Sequence, residues 1–241
     1  MTNSSIYILH GWTSDSETEA KWQPLVDLLE QAGFVCNFLA IPGLDRPIKQ
    51  AWRLADYRRW LKKELGTDKP VFLIGHSFGG QVAASFTANF NQQVKKLILI
   101  DSAGIKINTL SMRLKRAVFG AAAKLGKALV SNQFLKKKLR WLLYKLAREK
   151  DYYQSSPVMR KTMTNVLQEQ IHRDLEKINT PTLIIWGGED LTTPYQLASE
   201  FQELITNSKL YLVRSARHSP QYSHPEQVAA AVVDFLNSDT D

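Results

Sequence analysis

Val71-Phe72-Leu73-Ile74-Gly75-His76-Ser77-Phe78-Gly79-Gly80 is the stretch that decides the fold. Four apolar residues with β propensity run into Gly-x-Ser-x-Gly, and a helical pattern, Gln81–Phe90, follows at once. Alone, the five-residue pattern is common. Placed between a strand and a helix, it describes a sharp turn that lifts a serine hydroxyl above the sheet edge. Gly75 and Gly79 are required there because side chains would crowd strand against helix, and the helix N-terminus points at whatever Ser77 attacks.

Outward from this turn, short apolar runs alternate with helix-period stretches, the pattern of a parallel sheet covered by helices. The runs are Ile6–Leu9, Phe34–Ile41, Val71–Ile74, Leu97–Ile100, Thr182–Trp186 and Lys209–Val213. Each is continuously apolar rather than alternating, so each reads as a strand buried on both faces. Helical patterns fall near Lys21–Gln31, Asp56–Leu65, Gln81–Phe90, Tyr195–Leu204 and Pro225–Leu236, with Pro225 in the first turn of the last.

Between the fourth and fifth runs lies a segment of a different kind. Residues 104–170 hold 15 Lys or Arg and only Glu149, Asp151 and Glu169 as acids, a balance of +12 in a chain of net +8. Leu110, Leu114, Val118, Ala121, Leu125 and Ala128 recur at helical spacing, as do Leu135, Leu139, Leu142 and Leu146, with the basic residues off those stripes. A third helix is expected over Val158–Gln170. This organisation divides the chain into a core, 1–103 and 171–241, and a basic helical cap, 104–170, over the carboxyl ends of the strands.

Composition excludes several classes. At 241 residues and 44% hydrophobic content the chain can build a full globular core. No apolar run approaches the roughly 18 residues of a membrane span, and Met1–Ser5 lacks the features of a secretory signal. The single cysteine, Cys36, lies in an apolar run and reads as a buried, inert thiol. A reducing, cytoplasmic setting is the expectation, with no metal or organic cofactor. The cap's charge admits a peripheral contact with an anionic membrane or an anionic ligand. Nucleic acid is not expected, because no aromatic platform or known module accompanies the charge.

A serine hydroxyl needs a base within hydrogen-bond reach. Of five histidines, His218 lies on the loop after the last strand, in Arg217-His218-Ser219-Pro220. His224 competes but directly precedes Pro225 at a helix start, where a capping or surface role fits. An acid must orient the base. Asp190 leaves the fifth strand through Trp186-Gly187-Gly188-Glu189, Asp101 ends the fourth strand, and Glu189 is a third candidate; Asp190 is favoured. An oxyanion needs two main-chain N–H donors. Phe78, after Ser77, supplies one, and Trp12, in Leu9-His10-Gly11-Trp12, supplies the other. Gly11 permits close approach, and His10 orders the loop.

These residues together resemble the α/β-hydrolase superfamily, especially its small capped esterases and related C–C and thioester hydrolases. The likeness covers nearly the whole chain and rests on His10-Gly11, the turn at Gly75–Gly80, Gly188-Glu189-Asp190 and the His218 loop. It implies an α/β fold, the triad order Ser77, Asp190, His218, and acyl transfer on a small, apolar ester through an acyl-enzyme. Cofactor-independent C–C hydrolysis or lyase chemistry on the same scaffold is the alternative, and an anionic-surface binding protein the lesser one. Two departures stand out. Only five residues precede Ile6, so the sheet should have about six parallel strands. Ile41-Pro42-Gly43-Leu44-Asp45 replaces the Pro-Gly-His-Gly turn of many relatives.

Overall fold

The computed structural model describes residues 5–13, 17–66, 69–106 and 155–238. Six strands, β1 (Ser5–Leu9), β2 (Val35–Phe38), β3 (Val71–His76), β4 (Val94–Ile100), β5 (Thr182–Gly187) and β6 (Ser208–Val213), form one sheet in the order β2-β1-β3-β4-β5-β6. Every neighbouring pair is parallel. The register pairs Leu9 with Gly75, His76 with Ile100, Ile100 with Ile185 and Gly187 with Val213. The carboxyl ends therefore finish side by side, and the loops after β1, β3, β4, β5 and β6 open on one edge of the sheet.

Eight α-helices lie in the described residues: α1 (Thr18–Gln31), α2 (Leu54–Leu65), α3 (Phe78–Asn89), α4 (Pro157–Gln168), α5 (His172–Leu175), α6 (Gln196–Leu204), α7 (Pro220–Ser223) and α8 (Pro225–Asn237). Side-chain alternation along the strands splits the core in two. Leu73, Leu97, Leu99, Ile184 and Trp186 pack with α2, α3, α5 and α6. Phe72, Ile74, Ile98, Ile100 and Ile185 pack with α1 and α8 on the other face. Helix α3, which carries the residues after Ser77, is buried from Phe78 through Ala88, so the turn before it is held on all sides.

Three expectations need correction. The run Phe34–Ile41 forms a strand only over Val35–Phe38, and Val35 is 39% exposed. Among the described residues it is an edge strand with one neighbour, and Ile41 is buried instead within a turn in which the Leu44 and Asp45 amides donate to its carbonyl. Edge strand β6 is likewise half-exposed along most of its length. Burial on both faces holds for β3, β4 and β5, except at Lys95, whereas β1, between β2 and β3, is half-buried at Ser5 and Tyr7. Cys36, on β2, is only partly buried, yet burial, with Glu30 adding, pushes its thiol up to about 12.

The first two expected cap helices lie outside the described residues. The third is α4, which begins where Ser156 accepts from the Met159 amide and Pro157 occupies the first turn. It packs on the loop after β2 and on the start of α3. The Trp52 amide donates to Thr162 Oγ1 (2.9 Å), Asn165 donates to the Trp52 carbonyl (3.1 Å), and Gln81 donates to the Glu169 carbonyl (2.8 Å).

Candidate active site

Ser77 sits between β3 and α3 with φ 51° and ψ −115°. A non-glycine residue in this region is strained, and the surrounding contacts must hold it there. They do so through main-chain bonds. The Ser77 amide donates to the Ile100 carbonyl (3.0 Å), and its own carbonyl accepts from Ala103 (2.9 Å) and Gln81 (3.1 Å). The flanking glycines are steric requirements. A Cβ on Gly75 would stand 2.6 Å from the Gly79 oxygen, and one on Gly79 would collide with the main-chain oxygens of Leu9 and His10.

His218 reaches Ser77 from the loop after β6, 141 residues away in sequence. Its Nε2 lies 3.0 Å from Ser77 Oγ, and its Nδ1 lies 2.7 Å from Asp190 Oδ2. Asp190 is buried, and its carboxylate is enclosed by donors. Oδ1 accepts from the Thr192 (2.7 Å) and Thr193 (3.1 Å) amides, and Oδ2 accepts from the Thr193 hydroxyl (2.7 Å) as well as from His218. Burial alone would raise this carboxyl, but the His218, Thr193 and Thr192 hydrogen bonds outweigh it and hold the pKa below the usual range. The carboxylate is thus ionised where it faces the imidazole.

The structure brings Ser77, His218 and Asp190 together and separates their competitors. His224 caps nothing with its side chain, and its ring contacts Ser215 (2.9 Å) and Ser223 (2.8 Å). Glu189 points to solvent while its amide donates to Ala216. Asp101, also at positive φ (42°), is fully buried beside the site. Its Oδ1 accepts from the Gly187 amide (2.8 Å), and burial, opposed by that bond and assisted by Asp190, pushes its carboxyl up to about 8. Asp101 therefore carries a proton near neutrality and lacks the charge needed to pair with an imidazolium. The Asp190 carboxylate has that charge.

Trp12 and Phe78, whose amides are the expected oxyanion donors, come together from β1 and α3 with rings stacked at 4.0 Å. Their loop is fixed by His10, which is buried and has acceptors at both nitrogens: the Gly11 carbonyl at Nδ1 (2.8 Å) and Asp45 Oδ2 at Nε2 (2.7 Å). Asp45 Oδ2 also accepts the Ile41 amide (2.6 Å). Burial would raise Asp45, but the His10 contact and the Ile41 amide lower it on balance. The departure at Ile41–Asp45 thus supplies the partner that holds the His-Gly loop. No spacing rule links positions 10 and 45, so sequence reading missed it. Thr193 was also missed; the Asp-x-x-Thr spacing, in which a hydroxyl three residues on can turn back to the carboxylate, was the available signal.

A cleft of about 150 Å³ opens beside Ser77, bordered by Gly11, Trp12, His218, Ser219 and Tyr222. Among the described residues, one group could share a metal ion: His76, Asp101 and His218, with ligand atoms within 4.8 Å of one another. His218 in that group already has both ring nitrogens engaged. Chemically, the arrangement is an alcohol, a base in contact with it, an ionised acid behind the base, and a helix N-terminus beside the alcohol, which is what nucleophilic acyl transfer requires.

Known proteins agree with this architecture. The alpha/beta hydrolase fold family matches residues 5–225. Human monoacylglycerol lipase ABHD6 is 25% identical over 266 residues, spanning 97% of this chain and 75% of its own length. A Klebsiella pneumoniae 2-hydroxy-6-oxononadienedioate/2-hydroxy-6-oxononatrienedioate hydrolase is also 25% identical, over 257 residues, spanning 96% of this chain and 86% of its own. Among solved structures, MGS-M2, an alpha/beta hydrolase from a Medee basin deep-sea metagenome library, aligns with a TM-score of 0.72 at 20% identity, covering 100% of this chain and 92% of that one.

Proposed function

Because the chain belongs to the α/β-hydrolase family, we propose that it is a serine hydrolase that cleaves a carboxylic ester or related acyl bond through an acyl-enzyme on Ser77. The observation that carries this reading is the continuous contact from Ser77 Oγ to His218 Nε2 (3.0 Å) and from His218 Nδ1 to Asp190 (2.7 Å). His218 takes the hydroxyl proton as Ser77 Oγ bonds to the substrate carbonyl carbon. The carbonyl electron pair moves to oxygen and is held by the Phe78 and Trp12 amides; loss of one such donor costs about 10²–10³ in rate. The C–O bond to the leaving alcohol then breaks, and His218 returns the proton to it. Water, deprotonated by His218, repeats the sequence to release the acid. Asp190 keeps His218 in the tautomer with Nε2 free to accept and stabilises the imidazolium formed in each half. The segment 104–170, inserted between β4 and β5, shapes the acyl pocket in this proposal.

C–C bond hydrolysis of a vinylogous keto-acid is the second reading, favoured by the Klebsiella relative, which is as similar as the lipase. A fluorophosphonate probe and a panel of nitrophenyl esters graded by acyl length test the proposal. The expected result is stoichiometric labelling and ester turnover in the wild type, both lost in Ser77→Ala. A wild type that does not label would overturn acyl transfer at Ser77. Labelling with turnover of the keto-acid alone would favour the C–C reading.

A further inference from the structure

His76 lies between Gly75 and Ser77 and has no part in the acyl-transfer steps above. Its ring is buried, and its Nε2 is 2.8 Å from the main-chain oxygen of His218. A carbonyl only accepts, so Nε2 carries the hydrogen and donates, and Nδ1 carries the lone pair of the neutral ring. Among the described residues Nδ1 has no hydrogen-bond partner; it faces Gly11, where an added Cβ would approach it to 3.0 Å. Burial, with the charge of His218 adding, lowers the ring's pKa to about 3, so the donor stays in place across ordinary pH. The same ring packs 5.1 Å from the His218 ring and edge-on to Trp22 (6.3 Å).

We propose that His76 is a positioning residue for the base: by donating from Nε2 to the His218 carbonyl it fixes the backbone from which the His218 ring reaches Ser77. The proposal rests on the acyl-transfer reading of Ser77 and His218. Asp190 holds Nδ1 of the His218 ring, and the Glu189 amide holds the loop at Ala216, two residues before His218, but neither bond is made to the main chain of His218 itself. The His76 contact is, so a ring anchor and a backbone anchor together define the 3.0 Å approach to Oγ. Misplacement of a catalytic group by about 1 Å can cost on the order of 10²-fold in rate. A neutral His76 also suits a neighbour that becomes an imidazolium in each half-reaction, because a second cation 5.1 Å away would oppose that charge.

Gln and Met separate the donor from the packing. A Gln amide places an N–H four bonds from Cα, as His Nε2 does, whereas Met fills the site with no donor. In His76→Met, kcat on a nitrophenyl ester should fall roughly 10- to 100-fold with KM changed less than about two-fold, and His76→Gln should recover most of it, with melting temperatures measured alongside. In a His218→Ala background, His76→Met should cost nothing further, because the group it positions is gone. Should the Met variant melt below the assay temperature, Gln against Asn carries the test, since the Asn amide is one bond too short and should lose kcat. Wild-type kcat in the donor-free variant, equal losses with and without the donor, or multiplying losses in His218→Ala would each overturn the proposal. A wild type indistinguishable from Ser77→Ala would instead remove the reading on which it rests.

Discussion

At the scale of single residues, Asp190 remains ionised in a buried position because four hydrogen-bond donors face it. Two are amides of its own turn and come with the backbone. The Thr193 hydroxyl is a side-chain donor that evolution could remove, and it sits 2.7 Å from the oxygen that also faces His218. Thr193→Val keeps the shape and deletes that donor. A single such bond contributes about 1 kcal/mol, so kcat should fall roughly five- to ten-fold with KM little changed, in steady-state assays on the best ester of the panel. An unchanged kcat would mean that the two amides and His218 hold the acid without the hydroxyl. The three candidate carboxylates differ in burial and partners rather than in type. Glu189 is solvated, Asp101 is buried with one donor, and Asp190 is buried with four.

At the scale of elements, β4 and α8 are joined by a buried cation. Lys96, 2% exposed, points its Nζ at the carbonyls of Phe235 (2.7 Å), Leu236 (3.3 Å) and Ser238 (2.6 Å). Helix C-termini leave carbonyls without intrahelical partners and carry a partial negative charge, so an ammonium group there satisfies both needs. Lys96→Met would strand those carbonyls in the protein interior. The expected loss is about 1–3 kcal/mol in urea unfolding, with faster amide exchange confined to the end of α8 and unchanged kcat per folded molecule. Equal exchange rates in the two proteins would remove this account of how α8 is fastened. The helix matters to the site because α7, which directly precedes it, begins two residues after His218.

For the whole molecule, the proton held by Asp101 has a consequence for stability. Folding raises this carboxyl to about 8, so between about pH 4 and 8 the folded chain holds a proton that the unfolded chain has lost. Stability falls with rising pH wherever the unfolded state binds fewer protons. Asp101 thus contributes a downward slope across that window, while Asp45 and Asp190, both lowered, contribute stability that is lost as the pH falls into the acid range. Asn at position 101 retains an acceptor for the Gly187 amide but cannot ionise. Asp101→Asn should therefore gain stability relative to the wild type as the pH rises from 4 to 8, read by urea midpoints at several pH values. Parallel curves for the two proteins would show that Asp101 titrates normally.

The sheet, its six strands, and the Ser77 turn were legible from sequence because each is dictated locally. Continuous apolar runs suit central strands such as β3 and β5, and Gly75 and Gly79 are sterically obligatory beside a strained serine whatever the rest of the chain does. The His218 and Asp190 positions followed from their places after strands whose ends line up. What only the tertiary structure decided depends on distances between residues remote in sequence. It put Asp190 rather than Asp101 in hydrogen-bond contact with His218, tied His10 to Asp45 across 35 positions, set His76 against the His218 carbonyl across 142, and ended the second strand at Phe38, at the edge of the described sheet. Local pattern determines which backbone conformation a segment adopts. Burial and the identity of a facing partner, which set charge and orientation, exist only once the chain has closed on itself.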